Sequence, residues 1–378
     1  MTQPTLPDSD EDDAGLRKPD KPLRRGWTTG ACATAATKAA LAALLEGKFP
    51  DPVTITLPKG ETPSFALAHE DLGNDHAKAG IIKDAGDDPD VTHGAMIIAQ
   101  VRRTRPGAGI IFKAGSGVGM VTKKGLPIEP GKPAINPVPR KMIREVVEEI
   151  ANKHAVAPDF EVTISVPGGE ELARKTWNPR LGIVGGISIL GTTGVVHPFS
   201  CAAWIHSIHR GVDVARAAGL QHVFAATGST SEAALVRTFS PDEIAMIDMG
   251  DFAGGLLKYL RAHPIPRLTI AGGFAKMTKL AQGYLDLHSS RSQVDLGFLA
   301  TLARKRGLTQ QLSLAIQAAN TAKEALEIAQ ENQINLAGEV ADKAAESAFE
   351  VVKQQGVRID IIVVDRSGDL LAKSFRDE

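Results

Sequence analysis

A loop rich in carboxylates is the part of this sequence whose side chains are best suited to acid–base chemistry. Residues 83–94 read KDAGDDPDVTHG, with four aspartates and one histidine at short spacing. Such groups can transfer a proton, accept hydrogen bonds from the N–H groups of a substrate, or form turns. They could also bind Mg²⁺ or Ca²⁺, but the loop lacks the regular alternation of a calcium-binding loop, so we predict no protein-bound metal. The candidate catalytic residues are Asp84, Asp87, Asp88 and His93.

Four apolar segments in the second half of the chain each end in a turn rich in glycine, threonine or aspartate. The first covers residues 186–200, where a buried strand runs into a Gly-Thr-Thr-Gly turn before a helix that begins near residue 200. Apolar strands that alternate with helices indicate a parallel sheet covered on both faces. We therefore expect the four turns at one sheet edge, where exposed backbone N–H groups bind cofactors in α/β proteins.

The residues of these turns are candidates for contacts to a cofactor. Asp248, in the third turn, suits a ribose hydroxyl or an amine, and helix capping is its alternative role. The glycines do not match the spacing GxGxxG, which leaves the type of nucleotide open. The candidate cofactor-binding residues are Gly191, Thr192, Thr193, Gly194, Thr227, Gly228, Ser229, Asp248, Gly250, Gly272 and Gly273.

An alanine-rich helix predicted over residues 31–46 follows two arginines and a Thr-Thr-Gly turn. Thr28 or Thr29 is the expected N-cap. The small residues of its first turns would let a ligand or another backbone approach closely, and tight packing of the helix on a sheet is the alternative. Arg24 and Arg25 suit a ligand with many carboxylates, because a guanidinium binds a carboxylate in bidentate fashion, and solvated surface is their alternative.

A glycine-rich segment, GSGVG at residues 115–119, follows a predicted strand over 110–113 and precedes two lysines. Its backbone N–H groups could hold an anion. It lacks the GK[ST] ending of a P-loop, and a flexible hairpin loop is the alternative interpretation.

The elements that must position these residues form two predicted domains. Residues 1–22 are polar and acidic and are predicted to be a disordered tail. Residues 23–181 combine hairpins with few helices, which indicates an α+β domain for substrate binding. Residues 182–378 alternate strands and helices. The predicted fold is therefore an N-terminal mixed α+β domain followed by a Rossmann-like parallel-sheet α/β domain.

Composition excludes several classes of protein. The formal net charge is −1, and residues 1–20 carry six acidic and two basic side chains, so the rest of the chain carries only +3. This charge predicts no nucleic-acid partner, and no apolar run approaches the roughly 20 residues of a membrane span. The N-terminus has no signal-peptide pattern, and two cysteines provide no disulfide framework. These features predict a cytoplasmic protein without a membrane partner, either a monomer or a homo-oligomer.

Three stretches together resemble the CbiD family, the cobalt-precorrin-5B C-1-methyltransferases of cobalamin biosynthesis. They are LRRGWTTGACA at 23–33, KDAGDDPDVTHG at 83–94 and GTTG at 191–194, and the resemblance extends from residue 23 to the C-terminus. The resemblance implies transfer of a methyl group from S-adenosylmethionine (SAM) to C-1 of cobalt-precorrin-5B, giving cobalt-precorrin-6A. The turns at the sheet edge would then bind SAM.

The resemblance also implies a tetrapyrrole substrate, whose acetate and propionate arms account for the arginine and lysine clusters. Methyl transfer requires in-line alignment and exclusion of water more than it requires reactive side chains. The aspartates and histidine of residues 83–94 are candidate bases if the ring releases a proton. A nucleotide-dependent tetrapyrrole reductase and a non-catalytic tetrapyrrole carrier are the alternative functions. The candidate substrate-binding residues are Arg24, Arg25, Thr28, Thr29, Gly30, Lys113 and Ser116.

Overall fold

The chain folds as two units, of which the first ends at Cys201 and the second begins at Ala202. The computed structural model describes residues 22–353 and 356–375. The predicted disordered tail, residues 1–22, lies outside the described residues except for Pro22. The division differs from the predicted boundary between 181 and 182, because the short strands within 183–196 pair with strands of the first unit.

The first unit contains the helix that the alanine-rich segment predicts. This helix, α1, spans Thr29–Glu46, and Thr28 is its N-cap, which confirms the predicted cap. The other elements of this unit are β1 (Gly26–Trp27), β2 (Val53–Thr54), β3 (Ser64–Phe65), β4 (His69–Leu72), β5 (His76–Ile82), β6 (Met96–Arg103), β7 (Ile111–Ala114), β8 (Gly117–Val118), β9 (Met120–Val121), α2 (Pro137–Lys153), β10 (Phe160–Ser165), α3 (Gly169–Ala173), β11 (Ile183–Val184), β12 (Gly186–Ile187) and β13 (Val195–Val196).

A five-stranded sheet in the order β4-β5-β6-β10-β7 supports α1. Its neighbours are antiparallel except for β10 and β7, which are parallel. Helix α1 packs between β5 and β6 on one side and α2 on the other, and it is buried from Thr29 to Thr37. The small side chains of α1 therefore serve close packing against strands and a second helix, as the packing interpretation predicts.

The second unit alternates strands and helices, as its apolar pattern predicts. Its elements are α4 (Cys201–Ala217), β14 (His222–Ala226), α5 (Ser229–Phe239), β15 (Met246–Asp248), α6 (Ala253–Ala262), β16 (Arg267–Gly273), α7 (Phe274–Ala281), α8 (Leu296–Lys305), α9 (Gln310–Gln317), α10 (Ala322–Glu331), α11 (Leu336–Val352), β17 (Arg358–Val364) and β18 (Leu370–Phe375). No helix in the described ranges combines the length and apolar character that a membrane crossing requires.

The sheet of the second unit has the order β15-β14-β16-β17-β18. The first four strands are parallel and β18 is antiparallel, which confirms the predicted α/β class. The Rossmann-like detail is not confirmed, since the strand order in sequence is 2-1-3-4 and not 3-2-1-4. The order reverses at β14, which has β15 on one side and β16 on the other. Ligands of open α/β sheets bind outside the carboxyl ends of strands at such a reversal.

One prediction about this sheet is wrong. Residues 186–190 do not belong to it, because Gly186 and Ile187 form β12, which pairs with β8 of the first unit. The turn at residues 191–194 is therefore not one of the turns at the carboxyl edge of the parallel sheet. The other three predicted turns follow β14, β15 and β16 and do lie at that edge.

A buried polar network joins three strands of this sheet near their first residues. The side chain of Asp360 is 0% exposed, and its carboxylate accepts hydrogen bonds from Nε of Arg267 (2.6 Å) and Nε of Arg358 (3.3 Å). The hydroxyl of Thr269 donates to Asp360 Oδ2 at 3.2 Å. Because its single proton is used there, the Thr269 oxygen must accept from His222 Nε2, 2.8 Å away. His222 therefore carries a proton on Nε2, and in the neutral ring Nδ1 carries none.

Replacing His222 with glutamine is expected to flatten the pH dependence of stability. Burial and the Arg267 guanidinium lower the pKa of His222 from 6.5 to about 4. Between these two pKa values, His222 binds a proton in the unfolded chain but not in the folded chain. The free energy of unfolding therefore falls as the pH falls through this range, by at most about 3 kcal/mol. His222→Gln keeps an N–H donor without titrating. Urea unfolding at about pH 7 and about pH 5 measures the difference, and equal losses in both proteins would contradict it.

Candidate functional site

The predicted carboxylate loop, residues 83–94, connects β5 to β6, and backbone hydrogen bonds join its two ends. The N–H of Lys83 donates to the carbonyl of Ala95 at 2.8 Å, and the N–H of Gly94 donates to the carbonyl of Lys83 at 2.8 Å. The residues between them form a turn-rich segment that projects from the sheet. The loop is thus held at its base by the sheet that supports α1.

The segment that precedes α1 lies along this loop. The guanidinium of Arg24 binds the carboxylate of Asp84 with both of its terminal nitrogens, and the Arg24 N–H donates to Asp87 Oδ2 at 2.6 Å. Backbone bonds continue the pairing from Asp87 N–H to the Arg24 carbonyl (3.0 Å) and from Trp27 N–H to the Asp84 carbonyl (2.7 Å). The predicted substrate and catalytic groups of these two segments are therefore brought together.

Two glycines allow the two backbones to lie this close. A Cβ added to Gly26 would overlap the backbone of Ala85, and a Cβ added to Gly86 would overlap the carbonyl oxygen of Arg24. Gly86 also has a φ of +69°, which side chains disfavour. The contact between Gly86 and residue 24 depends on the tertiary structure and leaves no local signal in the sequence.

The carboxylates of Asp84 and Asp87 both bind Arg24. The Arg24 guanidinium and the N–H of Gly86, which donates to Asp84 Oδ1 at 2.9 Å, hold the pKa of Asp84 below its usual value. A carboxylate stabilised in this way is a weak base. Asp84 is therefore better suited to holding Arg24 than to accepting a proton, and Asp87 is engaged by the backbone N–H of Arg24.

His93 is turned toward the same backbone. Its Nδ1 accepts a hydrogen bond from the N–H of Ala85 at 3.1 Å, so that nitrogen carries no proton. The neutral ring therefore bears its proton on Nε2, and the 3.8 Å separation of Nδ1 from Asp84 Oδ1 is not a charged pair in this state. In this position His93 can donate a hydrogen bond through Nε2.

Asp88 has a different environment. Its Oδ1 accepts the N–H of Phe199 at 2.8 Å, which ties the loop to the end of the first unit. Burial raises the pKa of Asp88 above its usual value. A carboxyl group whose pKa is raised is a better proton acceptor once ionised, so Asp88 is the candidate whose surroundings best suit proton transfer. Within the described ranges, no three His, Cys, Asp or Glu side chains are grouped as metal ligands.

The Thr-Thr-Gly turn before α1 is clamped to residues 188–194. The N–H of Gly30 donates to the carbonyl of Leu190 at 2.9 Å, and the hydroxyl of Thr29 accepts the N–H of Leu190 at 2.9 Å. The N–H of Thr28 donates to the carbonyl of Gly194 at 3.0 Å, and a Cβ on Gly191 would lie 2.5 Å from Thr28 Cβ. All three residues of the turn are buried. Their polar groups therefore position the turn at 191–194, of which Thr192 is exposed and Thr193 half-buried.

The glycine-rich segment at 115–119 uses three of its backbone N–H groups within the protein, which favours a structural role over anion binding. The N–H groups of Gly115, Val118 and Gly119 donate to backbone carbonyls, at 2.8, 3.3 and 2.9 Å. A Cβ on Gly117 would overlap the carbonyl oxygen of Val166, so close packing explains the glycine. Two candidates from this region, Lys113 and Ser116, are exposed on and just after β7.

The remaining cofactor candidates lie at the carboxyl edge of the parallel sheet. Helices α5 and α7 begin there, and their N-caps are Gly228 and Gly273, which bring no side-chain acceptor to the first N–H groups. The helices farther along the unit do have side-chain caps. These caps are Asp295, Thr309, Thr321 and Asn335. A hydroxyl or carboxylate of a ligand can take the missing role at α5 and α7.

Polar and aromatic side chains outside the set of cofactor candidates border the same edge. Trp204, 36% exposed, donates from Nε1 to the carbonyl of Asp248 at 3.1 Å. Gly250 has a φ of +55° and lies under this indole. Nζ of Lys276 is 3.2 Å from the Thr227 carbonyl and 3.1 Å from Oδ1 of Asp251, close enough for an ion pair although the Asp251 angle is not that of a hydrogen bond. A lysine at the start of a helix opposes the helix dipole, which is a signal that sequence inspection could have used.

Comparison with known proteins identifies relatives over nearly the whole chain. The family model described as CbiD matches residues 16–198, and the model described as CbiD, C-terminal domain, matches residues 286–375. A protein of Brucella anthropi named cobalt-precorrin-5B C(1)-methyltransferase is 65% identical over 351 residues, which is 93% of this chain and 95% of that protein. One of the same name from Brucella suis biovar 1 is 62% identical over 366 residues, 97% of this chain and 100% of the relative.

A solved structure is also similar to this chain. It is the 1.9 Å crystal structure of the cobalamin biosynthesis protein CbiD from Archaeoglobus fulgidus. The two sequences are 28% identical, the TM-score is 0.38, and the match covers 72% of this chain and 87% of the other.

Proposed function

The chain belongs to the CbiD family, and from this premise we propose that it is a cobalt-precorrin-5B C(1)-methyltransferase. The observation that carries the proposal is identity of 65% to a protein of that name over 93% of the chain. The reaction adds one methyl group to C-1 of the tetrapyrrole and yields cobalt-precorrin-6A. SAM supplies the methyl group on a positively charged sulfonium.

The loop at 83–94 and the segment before α1 are the proposed substrate side. Arg24 and Arg25 are exposed and carry positive charge toward a substrate with several carboxylate arms. Asp84 and Asp87 hold Arg24 in place, and Glu61 lies 3.1 Å from Nη1 of Arg25. A guanidinium fixed in this way loses less entropy when it binds a carboxylate.

The carboxyl edge of the parallel sheet is the proposed donor side. The glycine N-caps of α5 and α7, the half-buried Asp248 and the Lys276–Asp251 pair are the observations that support this placement. Asp248 would accept a ribose hydroxyl or the amine of the methionine part. The N-terminus of α7 would bind its carboxylate.

Replacing Gly273 with valine is expected to weaken SAM binding at least about tenfold. Gly273 has a φ of −65°, and a Cβ there meets no atom within 4 Å, so the substitution should not disturb folding. The added side chain would occupy the space in front of the α7 N–H groups. Titration calorimetry measures the affinity.

Ala275→Val is the matched control for Gly273→Val, because it places the same valine side chain at an exposed position of α7. It should leave the affinity for SAM unchanged. If Gly273→Val bound SAM with wild-type affinity, the proposed SAM site at the N-terminus of α7 would be wrong.

Incubation with isotopically labelled SAM and cobalt-precorrin-5B tests the function itself. Mass spectrometry should find one labelled methyl group on the tetrapyrrole. Binding of the tetrapyrrole without any transfer would favour the carrier function. Reduction of the tetrapyrrole by NADPH, without methylation, would favour the reductase.

A further inference from the structure

Lys83 is a buried lysine at the base of the carboxylate loop. Its side chain is 1% exposed, and Nζ lies 2.7 Å from Oδ2 of Asp90. The other carboxylate oxygen of Asp90 accepts the N–H and the hydroxyl of Thr92, at 2.7 and 2.6 Å. An apolar pair of similar volume would often be as stable as a buried ion pair, so stability alone does not account for these two charges.

The ion pair is near Asp88 in the sequence, and both of its charges affect the pKa of Asp88. Asp88 precedes Asp90 by two residues, and its carboxylate is held by the N–H of Phe199 at 2.8 Å. Burial raises the pKa of Asp88, the Phe199 N–H lowers it, the Asp90 charge raises it and the Lys83 charge lowers it. The two members of the ion pair therefore act on the pKa of Asp88 in opposite directions.

The neighbouring carboxylates are already engaged. Asp84 forms an ion pair with Arg24, and Asp87 accepts the backbone N–H of the same residue. Asp88 is half-buried, and its bond to Phe199 uses one of its two oxygens. Asp88 therefore differs in its partners from Asp84 and Asp87, which bind Arg24, and from Asp90, which binds Lys83.

We propose that the Lys83–Asp90 ion pair positions Asp88 and sets its charge, and that Asp88 accepts the proton that the tetrapyrrole releases on methylation. This inference rests on the proposed methyl transfer. The ring carbon forms its bond to the methyl group with an electron pair of the ring, while the methyl–sulfur bond breaks and leaves its pair on sulfur. The cationic ring then loses a proton to the Asp88 carboxylate, and the protonated Asp88 passes that proton to water. Lys83 and Asp90 act through Asp88 and are positioning residues.

Opposite shifts of the pH–rate profile are expected when the two charges are removed separately. Lys83→Met removes the cation, so the acidic limb of kcat/KM should move to higher pH by about one unit. Asp90→Asn removes the anion and should move that limb to lower pH by a similar amount. Lys83→Arg retains the charge and should keep the limb near its wild-type position. Asp88→Asn should lose at least about a hundredfold in kcat.

A titration without substrate gives the same comparison independently of turnover. Carbon-13 NMR of aspartate carboxyl groups in the full-length, SAM-free protein should show one resonance that is absent from Asp88→Asn. Its pKa should rise in Lys83→Met and fall in Asp90→Asn. The amide spectrum shows whether each variant is folded. If Lys83→Met does not fold, Asp90→Asn provides the test.

Lys78 and Asp71 are the matched control pair. Their ion pair, 2.9 Å long, joins β4 to β5 outside the loop, and Lys78→Met should shift neither the profile nor the Asp88 resonance. Shifts of the same sign in Lys83→Met and Asp90→Asn, or no shift in either, would overturn the proposal. Wild-type turnover by Asp88→Asn would remove the inference alone, whereas a wild-type protein that transfers no methyl group would remove the proposed function and the inference with it.

Discussion

Gly86→Ala is expected to reduce methyl transfer about a hundredfold and to lower the free energy of unfolding by about 3 kcal/mol. A Cβ at this position would overlap the carbonyl oxygen of Arg24 and lie 2.7 Å from the carbonyl carbon of Arg25. The clash separates the two backbones whose contact presents Arg24 to Asp84 and Asp87. Activity is expected to fall together with stability, because the proposed substrate-binding guanidinium moves with its backbone.

Gly94→Ala separates the steric effect from the backbone effect. Gly94 lies in the same loop and has a φ of +76°, close to the +69° of Gly86, but a Cβ at Gly94 meets no atom within 4 Å. Both substitutions cost about 1 kcal/mol for a left-handed alanine, and only Gly86→Ala adds the clash. Steady-state rates and urea unfolding of the two variants measure the difference. Equal behaviour of the two would show that contact with residue 24 is unimportant.

The sequence predicted the elements whose signals are local. Thr28 as N-cap and the edge turns after β14 and β16 depend on a few adjacent residues and are confirmed. The parallel sheet follows from the alternation of apolar strands and helices. Its strand order was not predicted, because the same alternation is compatible with several orders.

The turn at residues 191–194 shows why other parts of the site were not predictable. Its apolar strand followed by glycines has the same local pattern as the true edge turns. Its partners, however, are β8 and residues 28–30, and the Leu190–Thr29 bond spans 161 positions in sequence. No periodicity records a contact of that kind. Residue types at the carboxylate loop were similarly predictable, but the use of Asp84 and Asp87 to hold Arg24 depends on tertiary contacts.

Loss of both arginines that face Asp360 is expected to cost about 4 kcal/mol of the free energy of unfolding, the largest stability effect we expect. Arg267→Met with Arg358→Met would leave a carboxylate with 0% exposure without its two cationic partners. The carboxyl group of Asp360 would then have to stay ionised in an apolar interior or bind a proton, and both are unfavourable near neutral pH. Urea unfolding of the single and double variants gives the cost of each arginine.

Adding Asp360→Val to the double variant tests whether the buried charge is the cause. The triple variant should recover most of the lost stability, since an apolar replacement of a buried ionic group is often neutral. Arg291→Met is the surface control, because the Arg291–Asp286 pair, 3.4 Å long, is exposed and should contribute less than about 1 kcal/mol. A triple variant as unstable as the double variant would instead assign the loss to arginine packing over Phe375, which lies 5.9 Å from the Arg267 guanidinium carbon. Recovery would mean that the loss comes from the unpaired buried carboxylate, and that the charges of the network are not needed for stability.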